Sequence, residues 1–205
     1  MSRYTGPKMR LVRREGMNLF GNEKFEGNKI KRNYKPGMHG PKGSFSKKSE
    51  YSKQLREKQR LKIMFGITER QLFNYYKKAG TMKEITGNAL LKLLETRLDS
   101  VIFKAGLAKS RPQARQMVSH GLFTVNNRKI NVPSYQVMTG DKFEAIGRMK
   151  KSKLFADLEK QKFAPAKWVK VDYKTVSGEV TREVEPQELE QGVQASLIVE
   201  YYSKA

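Results

Sequence analysis

Cations spaced for phosphate stand out in this sequence more than any set of groups spaced for catalysis. In SRPQARQMVSHG, residues 110–121, Arg111, Arg115 and Ser119 follow one another four apart. On a helix this places the two guanidinium groups on one face. Lys109 lies just before the run and His120 near its end. A guanidinium fork offers paired N–H donors to phosphate oxygens, and a helix N-terminus adds positive potential of its own. A catalytic set has little to draw on. His39 and His120 are the only histidines, and cysteine is absent, which removes thiol chemistry, disulfides and cysteine-based zinc sites. No phosphate loop, paired-carboxylate or metal-ligand spacing is visible. Neither a cofactor nor a metal is expected, and His39, within PGMHG, reads as a turn or RNA-contact residue.

The elements that must position these cations are legible around them. Leu98, Val101, Ile102 and Ala105 recur at helical spacing, and Gly106 follows where a helix C-terminus favours positive φ. Ser110 opens a second helix as N-cap with Gln113 completing a capping box, Pro112 sits in the first turn, and Gly121 ends it. Ala114, Met117 and Val118 give that helix an apolar stripe, so Arg111 and Arg115 are assigned to its outer face. Phe123 to Val125, the pair Asn126-Asn127 and Arg128 to Val132 predict a basic hairpin with Lys129 on its second strand; Thr139-Gly140-Asp141 then turns into a strand from Lys142 to Ile146. Two helices packed beside a short antiparallel sheet result.

The chain as a whole is strongly basic. Its 205 residues carry 42 Lys plus Arg against 20 Asp plus Glu, a net charge of +22. Such an excess calls for a polyanion, with nucleic acid the first candidate and an anionic membrane the second. No apolar run of roughly 18 residues exists to span a bilayer, and no signal peptide opens the chain, so a cytoplasmic location is expected. The charge is also directional: basic side chains dominate residues 1–62, whereas acidic ones outnumber them in 171–205. The acidic tail between Glu183 and Glu190 suits a cap on the fold or a basic neighbouring protein.

Residues 1–50 are punctuated by Gly and Pro without a sustained apolar period and are predicted to be extended. Arg3, Tyr4, Lys8, Arg10, Arg13 and Arg14 mix cations with an aromatic, as a segment threading between RNA helices does. A solvated basic tail is the alternative; the anchors Tyr4, Leu11, Phe20, Phe25 and Tyr34 favour ordered RNA contact. A helix follows over 49–65, where Lys53, Arg56, Lys58, Arg60 and Lys62 leave only a weak apolar face. Such a helix needs an outside partner, so it is assigned to RNA, the alternative being a solvated connection. Thr68 with Gln71 caps a third helix bearing Arg70, where Leu72, Tyr76 and Ala79 form the apolar stripe and Tyr75 and Tyr76 read as core. Leu90, Leu91, Leu94, Leu98 and Val101 continue a helical face into the central unit. Arg148 to Phe163 reads as a basic, then amphipathic helix, 168–180 as strand and hairpin, and 197–202 as a closing apolar segment.

SRPQARQMVSHG, the VNN hairpin, PSYQV and TGD together resemble the S-four RNA-binding domain. RYTGPKMRLVRREG, PGMHG, QLREKQRLKIMFGITERQLFNYYKKA and LIVEYYSK resemble, in order and spacing, the S-four family of small-subunit ribosomal proteins. The resemblance implies an α+β chain: an extended basic arm over 1–48, a mainly helical domain over 49–96, an RNA-binding domain over 97–158, and a segment 159–205 packing on the helical domain. It implies a structural constituent of the small subunit that binds ribosomal RNA early, nucleates assembly of the subunit body and contributes to translational accuracy. The implied neighbours are proteins S-five and S-three and the messenger RNA where it enters the subunit, with no membrane and no small-molecule substrate. Asn126, Arg128 and Lys129 of the hairpin join the cations named above as RNA-binding residues. Some family members bind zinc through four N-terminal cysteines; Met9, Val12, Glu26 and Lys31 stand in those places here. Pseudouridine synthases with a similar small domain carry an Arg-Leu-Asp motif, but theirs lies in a separate large domain, so Asp99 of Arg97-Leu98-Asp99 is read as structural and the chain as no enzyme. The alternative is a free RNA-binding stress or quality-control protein, which needs only the small domain.

Overall fold

The computed structural model describes residues 4–25, 30–32, 34–41, 49–150, 152, 155 and 165–204. It divides into two compact units, Met1–Leu90 with Gln191–Ala205, and Leu91–Glu190. Arg3, Glu26 and most of the predicted amphipathic stretch before Pro165 lie outside the described residues.

In the first unit the arm is not extended throughout. Helix α1, Lys8–Glu15, occupies the uninterrupted stretch between Pro7 and Gly16, and Gly16 at φ 72 closes it by donating its N–H to the Val12 carbonyl at 2.8 Å. Glycine and proline punctuate this helix from outside, which is why their frequency along the arm conceals it. Val12 on α1, with Leu19 and Phe20 beyond it, are the arm's buried anchors. Helix α2, Glu50–Phe65, starts at Ser49, whose side chain accepts from the Ser52 N–H, and stops at Gly66 in the left-handed region. Helix α3, Glu69–Gly80, has the reciprocal capping box between Thr68 and Gln71. Leu72, Tyr75 and Ala79 are its buried face; Tyr76 instead stacks on Tyr202 with centroids 4.9 Å apart.

Helix α4, Thr86–Glu95, contains the division between the units. It does not run on into helix α5, Leu98–Lys104: Arg97 takes extended backbone between them, so the buried leucines span two helices. Helix α6, Arg111–Ser119, follows, then strands β1, Phe123–Val125, and β2, Arg128–Ile130. Asn126 and Asn127 take φ of 48° and 63°, the left-handed pair that a two-residue hairpin requires. Strand β3, Lys142–Ala145, helix α7, Gly147–Lys150, and strands β4, Val169–Asp172, and β5, Ser177–Val180, complete the second unit.

The sheet has the order β2-β1-β3-β5-β4 and is antiparallel at every pairing. Its extent exceeds the short sheet read from 123–146, because β5 pairs with β3. The register places Gly178 opposite Phe143, and a Cβ at Gly178 would come within 2.5 Å of the Phe143 ring, so only glycine leaves room for that ring. Residues 169–180 therefore belong to the second unit, whereas the expected boundary at 159 puts them with the helical one. The last helix, α8, Ala195–Ser203, lies in the first unit against α2.

Candidate nucleic-acid interface

Helix α1 presents Arg10 and Arg14, four apart and exposed, and neither makes an ion pair among the described residues. Arg13 is held differently: its Nε donates to the Tyr34 carbonyl at 2.9 Å and its guanidinium lies 4.8 Å from the Tyr34 ring centroid. Lys8 lies 5.5 Å over Phe20. Tyr4 is exposed.

The five cations assigned to RNA on α2 all meet carboxylates of this chain. Lys53 pairs with Glu50 at 2.6 Å, Arg56 with Glu15 at 2.9 Å, Arg60 with Glu57 at 2.5 Å, and Lys58 and Lys62 with Glu69 at 2.9 and 3.3 Å. Glu15 is 2% exposed at its side chain, which makes Arg56 and Arg60 the counter-ions of a buried charge. Glu57 also accepts the Gln194 N–H at 3.1 Å, at the start of α8. Lys58 is buried beneath Tyr201, 4.3 Å from its ring. Burial acts to lower the Lys58 pKa, but bonds with Glu69 and Tyr201 outweigh it and hold the ammonium above its ordinary value. Burial likewise acts to raise Glu69, and bonds from Lys58, Tyr202 and Lys62 hold it below the usual carboxylate value. This network is internal; of the basic residues assigned on α2 and α3, only Arg70 is both exposed and without an ion pair among the described residues.

In the second unit the assigned outer face of α6 turns inward. Arg111 is 8% exposed and donates to Glu190 at 2.7 Å, and Arg115 reaches Asp99 at 3.4 Å. Ala114, Met117 and Val118 are buried on the adjoining stripe, so α6 is enclosed on both, and its exposed positions are Gln116, Ser119 and His120. Helical spacing establishes that two residues share a face, not which way that face looks, and long arginine side chains satisfy buried carboxylates as readily as phosphates. The expected capping box is not made: Gln113 accepts the N–H of Lys109 at 3.0 Å, one residue before the N-cap, and the Ser110 side chain makes no cap hydrogen bond.

Lys109, His120, Arg128 and Lys129 remain exposed. Gly121 at φ 66 brings the hairpin against the end of α6, since a Cβ there would lie 2.6 Å from the Lys129 Cε. Lys129 thus lies beside the residue following His120. Asn126 is tied down, donating to Asp141 at 2.7 Å and accepting the Lys142 N–H at 3.0 Å, so its side chain locks the hairpin to the turn at Gly140. Lys77, which the sequence reading does not assign, is exposed and lies 4.7 Å over the half-exposed Phe73 ring on α3, as its i+4 spacing from Phe73 allows.

Asp99 cannot serve as a free base. Arg97, 1% exposed, donates to it from Nε at 3.0 Å and Nη2 at 2.7 Å, and the Ser100 N–H donates at 3.0 Å. Among the described residues no group of three or more His, Asp and Glu could hold a metal ion. Val12, at which the resemblance implies a cysteine in zinc-binding family members, lies in the apolar core. No helix among the described residues is long and apolar enough to cross a membrane.

The family described as the Ribosomal protein S4/S9 N-terminal domain matches residues 3–95, and the S4 domain matches residues 96–143. The chain is similar over its whole length to curated proteins named small ribosomal subunit protein uS4. That of Thermodesulfovibrio yellowstonii is 43% identical over 215 residues, covering 100% of both chains. That of Oenococcus oeni is 43% identical over 205 residues, covering 100% of this chain and 99% of the relative. That of Vesicomyosocius okutanii is 44% identical over 209 residues, again covering 100% of both. With matches of this extent through both units, the chain belongs to the uS4 family of small ribosomal subunit proteins.

Proposed function

We infer that the chain is a structural constituent of the small ribosomal subunit that binds ribosomal RNA, and not an enzyme. Apart from family membership, the observation that carries this reading is a division of its cations. Those on α2 and the inner face of α6 are paired with this chain's own carboxylates, whereas Arg10, Arg14, Arg70, Lys109, Arg128 and Lys129 are exposed and make no ion pair among the described residues. A-form RNA hides its base edges in a deep, narrow groove, so arrays of this kind read phosphate geometry at helix junctions more than sequence. The hairpin of β1 and β2, pinned by Asn126 and Gly121, holds two of these groups, Arg128 and Lys129, in fixed positions.

The role extends to nucleating assembly of the subunit body and to translational accuracy through neighbouring proteins S-five and S-three beside the incoming messenger RNA, in the cytoplasm. The net charge of +22 supports the RNA part of this reading, and the acidic stretch near the C-terminus supports a basic protein neighbour. The test is binding to transcribed small-subunit ribosomal RNA across salt concentrations. The logarithm of affinity should fall linearly with that of salt, with a slope equivalent to about 6 to 10 phosphate contacts. Exchanging Arg128 and Lys129 for Ala should make the slope shallower by roughly 1 to 2 units. A salt-independent affinity would overturn the reading.

A further inference from the structure

Two cations and two carboxylates meet beside α6, and the four groups are not equivalent. Glu95 on α4 is 1% exposed at its side chain, lies 3.6 Å from both Lys104 and Arg111, and neither of its carboxylate oxygens has a hydrogen-bond partner among the described residues. Glu190 is 24% exposed, lies 2.7 Å from Arg111 and 3.6 Å from Lys104, and belongs to no helix or strand. The guanidinium is otherwise fixed by the Phe103 ring, 4.9 Å away, and by the Ser100 hydroxyl at 3.5 Å. Glu95 therefore supplies one fixed negative charge from within. The pair of cations calls for a second anion from the solvent side, and in the free chain Glu190 provides it.

A phosphodiester oxygen carries the same single charge as that carboxylate and accepts the same N–H donors. Exchange of one for the other leaves the local charge count unaltered, and because Glu190 lies outside regular structure, its withdrawal breaks no helix or strand. We propose that Lys104 and Arg111 form a phosphate subsite for RNA which the chain's own Glu190 fills until RNA displaces it. This rests on the reading of the protein as an RNA binder and extends it: α6 contributes to RNA contact, but only after an internal competitor leaves. The competitor weakens binding in the free protein and compensates the buried Arg111 charge before RNA arrives.

The experiment measures affinity for transcribed small-subunit ribosomal RNA with the full chain and three variants. Glu190→Gln removes the competing charge and should tighten binding about threefold to thirtyfold, the range that competing ion pairs of intermediate burial span. Its affinity should fall with salt nearly in parallel with the parent, since the same phosphates are engaged in both complexes. Glu185→Gln removes an equal charge that pairs with Arg182 instead, and should change affinity less than twofold because screening limits long-range repulsion. Combining Glu190→Gln with Arg111→Gln should abolish the gain. Should Glu190→Gln lower the melting temperature, Glu190→Asp keeps the charge, draws it back by one methylene, and should still tighten binding. Equal gains from Glu185→Gln and Glu190→Gln, or a gain that survives loss of Arg111, would overturn the subsite. So would unchanged or weaker binding by both Glu190 variants. A parent chain that fails to bind the RNA at all would overturn the functional reading, and this one with it.

Discussion

Replacing Asp99 by Ala should be among the most damaging single changes in the second unit. The Asp99 carboxylate accepts from Arg97 at 3.0 and 2.7 Å and from the Ser100 N–H at 3.0 Å, with Arg115 at 3.4 Å. Arg97 is 1% exposed, so truncation removes the carboxylate that accepts two of its N–H groups where water cannot take its place, and breaking a buried pair in this way costs about 3 to 5 kcal/mol. Individual bonds to charged groups run at about 1.5 to 3 kcal/mol, but they share one carboxylate and do not add. Against a domain stability of roughly 5 to 15 kcal/mol, the loss is about a fifth of the total or more. Urea unfolding monitored through Trp168, which is 1% exposed, gives the assay: the midpoint should fall at nearly constant slope. Asp99→Asn keeps an acceptor and should lose less, and pairing Asp99→Ala with Arg97→Met should recover part of the deficit by removing the buried charge that Asp99 neutralises. An Asp99→Ala variant within about 1 kcal/mol of the parent would refute the reasoning, and would reopen a chemical role for the motif.

Gly178→Ala should cost about 1 to 3 kcal/mol by overpacking, because the added methyl meets the Phe143 ring at 2.5 Å and the Lys170 carbonyl oxygen at 2.8 Å; thermal melting checks it. Glu69 has its folded pKa depressed, so the stability it adds is present above the unfolded value of about 4.3 and is lost as pH falls through the lower folded value. Glu69→Gln should therefore flatten the acid limb of a stability profile and, because the Glu69 carboxylate helps hold Lys58 above its ordinary value, should flatten part of the alkaline limb too. Lys58 has the opposite sense: its contribution is whole below about pH 10.4 and is lost as pH rises through its raised folded value, which Lys58→Met should show as a flattened alkaline limb. Chelator treatment should leave melting and RNA binding unchanged, and elemental analysis should find no stoichiometric zinc, since no cysteine is present to hold it.

Local rules were enough for the features that depend on neighbours in the chain. Ser49, Gly66 and the Thr68–Gln71 box delimit α2 and α3 as their residue types dictate, and Asn126-Asn127 forms the tight turn its tolerance of positive φ allows. Long-range pairing was not legible. Glu15 reaches Arg56, Glu57 reaches Gln194, and Glu190 reaches Arg111 across 41, 137 and 79 positions, and nothing in the spacing of α2 or α6 reveals those carboxylates. The same lack of long-range information hid the pairing of β5 with β3, which depends on Gly178 meeting Phe143. Helix α1 was missed for another reason: a short helix with one buried valine carries too little apolar periodicity to stand out among flanking glycines.

The most direct test of the central claim is where the protein sediments. A lysate from cells expressing the chain with a terminal tag, resolved on a sucrose gradient with magnesium lowered to separate the subunits, should place nearly all of it in the small-subunit fractions. It should stay there through a moderate salt wash and leave together with the ribosomal RNA when the RNA is digested. Protein found chiefly at the top of the gradient, or with the large subunit as a quality-control factor would be, would contradict the account.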